Sequence, residues 1–104
     1  MATGKNQMQN QLSVRLAVEI AKKHVQALFH DENLSNLGLE EVEFDDGKDE
    51  WVVTVGFSRP WDEPKNALAA LAKSTSAPLR SFKVVRINDL TQQVVSVKNR
   101  EVPG

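Results

Sequence analysis

The sequence predicts an α+β domain in which one N-terminal helix packs on a curved, four-stranded antiparallel sheet. Three observations lead there. A single helical stripe of apolar residues lies between Ser13 and His30. Two later stretches show apolar alternation, each folded about turn-forming residues. The chain has 104 residues and no cysteine, enough for one core and too few for two.

Ser13 is placed to cap the helix, because its hydroxyl can accept a free amide of the first turn. At 100° per residue, Val14, Ala17, Val18, Ala21, Val25 and Leu28 fall on one stripe. Leu16, Ile20 and Ala27 widen it on one side and Phe29 on the other. Arg15, Glu19, Lys22, Lys23 and Gln26 make the polar strip. So wide an apolar arc calls for a sheet beneath the helix and a loop over it.

Asn33 to Leu39 reads as a connector that packs Leu34, Leu37 and Leu39 over the helix end, with Gly38 free to take a positive φ. Val42 and Phe44 then alternate with acids. Asp45-Asp46-Gly47-Lys48 supplies a turn. From Glu50 to Ser58, Trp51, Val53, Val55 and Phe57 share one face, and Gly56 marks a bulge or bend. Pro60 ends the ladder in Arg59-Pro60-Trp61, since proline donates no amide. Pro64 can open a short helix through Lys73, followed by a loop over 74–78. A second hairpin, Phe82 to Ile87 and Val94 to Lys98, turns at Asn88-Asp89-Leu90-Thr91. The predicted domain is 13–99, with a disordered polar tail at 1–12 and a frayed end at 100–104. Helix, two strands, an excursion and two strands is an α+β order; a parallel sheet needs helical crossovers between successive strands.

Composition narrows the function. Absent cysteine excludes disulfides, thiolate metal sites and cysteine nucleophiles, and fits a reducing, cytoplasmic setting. No stretch is long and apolar enough to span a membrane, and the first eleven residues lack a signal-peptide core. Thirteen basic residues against fourteen acidic give a net charge of −1, which argues against a nucleic-acid partner. The charge is nevertheless uneven. Residues 31–50 hold nine acids against Lys48, and residues 80–101 hold five bases against Asp89 and Glu101, predicting an acidic end and a basic end.

Residues that could carry chemistry are few. His24 and His30 are six apart, where helical metal pairs want three or four. His24 falls inside the apolar arc and reads as a packed histidine. The acids around Gly47 are too tightly spaced for a calcium loop. No serine lies in a nucleophile elbow and no glycine run cradles phosphate. The basic second hairpin offers Phe82 as its sole aromatic, where single-strand binders interleave several. The exception is Arg59-Pro60-Trp61, because Trp and Arg are the commonest interface anchors.

The helix segment AVEIAKKHV, the first hairpin LGLEEVEFDDGKDEWVVTVGF and the second FKVVRINDLTQQVVSV resemble the small PepSY-like domains, with their cystatin-like layout of a helix cradled by an antiparallel sheet. Asp89 and Thr91 match the turn of that family's closing hairpin. Gln92 stands where glycine is usual, and costs roughly 1 kcal/mol if the site is left-handed. The resemblance implies a non-catalytic domain that binds or inhibits proteins, and supplies no catalytic residues.

The expectation is therefore a non-enzymatic protein-binding module, inhibitor-like or immunity-like, without a cofactor or metal. Its partner is another protein, met at Arg59, Pro60 and Trp61. The competing reading is a small enzyme or ligand binder with a pocket between helix and sheet near His24. The sequence does not specify the oligomeric state.

Overall fold

The computed structural model describes residues 11–60 and 80–100. The predicted helix after Pro64, the loop over 74–78, Trp61 and the outer parts of both tails lie outside the described residues. The elements are α1 (Val14–Leu28), a 3-10 turn (His30–Glu32), β1 (Ser35–Asp45), β2 (Glu50–Ser58), β3 (Ser81–Asn88) and β4 (Val94–Asn99). One sheet runs β1-β2-β3-β4 with every neighbouring pair antiparallel. The helix packs on one face of it, as the sequence predicts.

Ser13 caps α1 through its Oγ, which accepts from the Leu16 amide at 3.1 Å. Ala17, Ala21 and Val25 are fully buried against Val53, Val55, Phe57, Val85 and Ile87. Alanine at two of these three helix positions lets the backbone approach the sheet closely. Val14 and Leu28 lie on the same arc but are 47% and 51% exposed. Leu12 and Phe29, each just outside the helix, occupy the core at its two ends instead. Leu16 is exposed as well, so the buried arc is narrower than the sequence implies.

β1 begins ten residues before Asp45, inside the predicted connector. Its pairing with β2 slips twice, between Ser35 and Gly38 and between Leu39 and Glu41. Those bulges break the alternation that would have announced a strand. No described glycine has a positive φ; Asn33 and Asn36 take the left-handed conformations of this segment, at 51° and 56°. Asparagine tolerates that region through local hydrogen bonding, so Gly38 is not needed for it. Gly56 pairs regularly with Phe82 of β3, while its β1 partner Gly38 borders the first bulge, as the sequence predicts. It is required for close approach, because a Cβ there would sit 2.8 Å from Arg80 Nη2 and 2.9 Å from Phe82 Cε1.

The two hairpin turns are closed by side chains. Asp45 Oδ1 accepts from the amides of Gly47 (3.0 Å) and Lys48 (3.3 Å), and Asp49 carries the positive φ of 53°. Asn88 Oδ1 accepts from the amides of Leu90 and Thr91, each at 2.9 Å. Gln92 is left-handed at φ 63°, so glutamine does bear the strain at that turn.

Asp89 has a role beyond the turn. Its side chain is buried, with 4% of the residue exposed. Its carboxylate accepts from the amides of Gln11 (2.8 Å) and Leu12 (3.0 Å) and from Trp51 Nε1 (3.0 Å). Leu12 is 3% exposed in consequence. Gln11 and Leu12 thus belong to the folded body, where the sequence places them in the tail. The reason is a carboxylate 77 residues away, which no local pattern announces.

Candidate functional site

The residues with interaction chemistry gather at the C-terminal end of α1. The helix stops at Phe29, whose amide donates to the Val25 carbonyl at 3.1 Å. A 3-10 turn follows, and left-handed Asn33 redirects the chain into β1. This path turns Glu32 toward the end of β2. Arg59 Nε donates to Glu32 Oε1 at 2.6 Å, and Arg59 Nη1 donates to Ser81 Oγ at 2.8 Å. The guanidinium carbon lies 5.4 Å from the Phe29 ring centroid and 5.1 Å from that of Phe57. The two rings pack on each other at 5.8 Å.

Lys83 completes the group. Register places it on the helix-facing side with Val85 and Ile87, opposite Val55. Its ammonium is 5.4 Å from the Phe29 centroid and donates to Asn99 Oδ1. Desolvation holds its pKa below the ordinary lysine value; the positive charge of Arg59 adds to this and Glu32 opposes it. A lysine on a core face is readable from period-two alternation, and is the signal that marks this end from sequence. The Glu32–Arg59 pair has no such signal, being 27 residues apart.

Beside this group opens a cleft of about 280 Å³ lined by Gln26, Phe29, His30, Asn33, Leu34 and Leu37. His30 Nδ1 lies 3.2 Å from the Ala27 carbonyl. A carbonyl only accepts, so Nδ1 carries the proton and Nε2 is left for solvent or a ligand. Phe29 is common to both features: it lines the cleft and packs against Arg59.

The sequence-derived candidates are distributed as follows. Arg59 is held at this end with 16% of its side chain exposed. Pro60 is exposed beside it, and Trp61 is outside the described residues. His24 is half-buried and does not line the cleft. Among the described residues no three metal-ligating side chains converge.

The acidic segment lies mainly on edge strand β1, and the basic segment is spread over β3 and edge strand β4. They are bridged in part across β2 and β3. Arg86 Nη1 pairs with Asp45 Oδ2 and Glu50 Oε1, each at 3.1 Å. The Arg86 hydrogen bond is the main cause of an Asp45 pKa below the usual carboxylate range. Arg80 Nη2 lies 3.6 Å from Glu40 Oε2 and donates to the Asn36 carbonyl at 3.0 Å. No described helix is long and apolar enough to cross a membrane. Compared with known protein families, curated proteins and solved structures, the chain matches none.

Proposed function

We propose that this chain is a non-enzymatic protein-binding module, PepSY-like in character, acting in a reducing, cytoplasmic compartment. Its partner is another protein that places an apolar side chain in the cleft and packs against Arg59 and Pro60. The observation that carries the reading is the double duty of Phe29. A guanidinium fixed by Glu32, Ser81 and two rings loses little freedom when a partner covers it. The cleft beside it has a mixed lining, Phe29, Leu34 and Leu37 together with Gln26, His30 and Asn33. That is the form of an interface anchor site, an immobile Arg next to a pocket for one side chain.

At about 280 Å³ the cleft is at the lower edge of small-molecule sites, which span about 300–1,000 Å³. Its position favours the protein-binding reading over a helix–sheet pocket, because His24 takes no part in its lining.

Gln26→Trp tests the proposal. Gln26 is exposed and lines the cleft, so an indole there fills the socket without entering the core. The parent chain should retain a specific protein from native extract, identified by mass spectrometry. The variant should lose that protein while melting at the parent temperature. Equal capture by both chains would sink the proposal.

A further inference from the structure

We propose that Lys83 is an acylation site, at which its amine takes the acyl group of a small thioester. This goes beyond the cleft, of which Lys83 is not a lining residue.

Register sets the position. Lys83 pairs with Val55 of β2 and with Asn99 of β4, on the side of the sheet where Val85 and Ile87 are buried. Its ammonium ends 5.4 Å from the Phe29 ring centroid. The Arg59 guanidinium carbon lies 5.4 Å from the same centroid. Two cations thus share one ring, and the Glu32 carboxylate is bonded to Arg59. Asn99 Oδ1 accepts a hydrogen bond from the Lys83 ammonium and fixes its place. Lys83 is half-buried, so part of its side chain remains within reach of a small reagent.

A lysine is a nucleophile only without its proton, and it is activated by desolvation or by a second cation nearby. Both causes act here. Burial is the larger, Arg59 adds to it, and Glu32 opposes it. Lys23, Lys48 and Lys98, by contrast, are exposed. In the reaction the neutral amine attacks the carbonyl carbon of the thioester. A C–N bond forms, the C–S bond breaks, and the thiolate leaves with the proton that the nitrogen sheds. The product amide carries no charge, so the repulsion between Lys83 and Arg59 ends with the reaction.

The probe is the acetyl thioester of N-acetylcysteamine, applied to the full chain at mildly alkaline pH and followed at early times by peptide mass spectrometry. A less basic amine is also a weaker nucleophile, which offsets part of the gain in free amine; Lys83 should still be acetylated at least about twofold faster than Lys23, Lys48 or Lys98. In urea the four rates should converge, because only the folded chain brings Phe29 and Arg59 to the amine. Arg59→Gln should slow Lys83 and Glu32→Gln should speed it, while the three exposed lysines keep their parent rates in both. A Lys83 that reacts no faster than those three overturns the proposal. So does a preference that survives in urea, or a Glu32→Gln variant in which Lys83 slows.

Discussion

Replacing Asp89 by alanine should cost the fold a large share of its stability. Three donors lose their acceptor: the amides of Gln11 and Leu12 and the indole of Trp51. Gln11 is exposed and regains water. The other two are buried, and a buried donor left without a partner costs about 1–3 kcal/mol. Two of them give about 2–6 kcal/mol. Leu12, no longer anchored, can leave the core, and burial of such a side chain is worth about 1.5–3 kcal/mol. These losses overlap, since a Leu12 that swings out also frees its own amide, so about 3–4 kcal/mol is the expected total. A domain of this size is stable by about 5–15 kcal/mol. At about 4–8 °C per kcal/mol the melting midpoint should fall by roughly 12–30 °C. The assay is thermal and urea unfolding followed by the near-ultraviolet signal of Trp51. Asp89→Asn keeps an oxygen for Leu12 and Trp51 and should cost about 1 kcal/mol. Deleting residues 1–12 should add little to Asp89→Ala, because both remove one linkage. Deleting only residues 1–10 should leave the melt nearly unchanged. An Asp89→Ala midpoint within 3 °C of the parent, where about 1 kcal/mol alone moves it further, would refute the linkage.

Gln92→Gly should raise stability by about 0.5 kcal/mol, the left-handed strain relieved less the added chain entropy; a lower melting point would contradict the turn geometry. Gly56→Ala should cost about 1–2 kcal/mol, because its Cβ meets Phe82 and Arg80 and the ring cannot easily yield. Gly38→Ala, with no atom within 4 Å of its Cβ, should be neutral or stabilising in the same melts. Lys83 has a folded pKa below its unfolded one, so between the two values the unfolded chain holds the extra proton. Its contribution therefore turns toward folding as pH rises through the folded pKa to the ordinary lysine value. Lys83→Met should flatten the difference in stability between neutral and alkaline pH; an unchanged alkaline slope would show that other groups set it.

The legible parts of the fold are those with a local cause. The Ser13 cap, the alternation from Trp51 to Phe57 and the Asp45 turn each depend on residues within a few positions. β1 is legible only in its second half, because bulges and two left-handed asparagines interrupt the alternation before Glu41. At the candidate site, Arg59 and Pro60 stand out by composition. The partners that fix Arg59 do not, since Glu32 and Ser81 are separated from it by chain that must first fold. His24 falls within the apolar arc and is half-buried, but an arc does not tell a histidine beside a pocket from one beside side chains. Asp89 reads as a turn residue because it is one, and its buried contacts with Leu12 and Trp51 arise only when the sheet and helix meet.

The Asp89 linkage sets an order of events on the ribosome. Leu12 is made 77 residues before the carboxylate that holds it. At about 5–20 residues per second that is an interval of roughly 4–15 s. A helix of 15 residues is marginal in water on its own, and through that interval Ala17, Ala21 and Val25 have no completed sheet to cover them. The nascent chain therefore presents an apolar helix to chaperones until its last hairpin emerges. A pause in translation before that hairpin emerges would prolong the exposure.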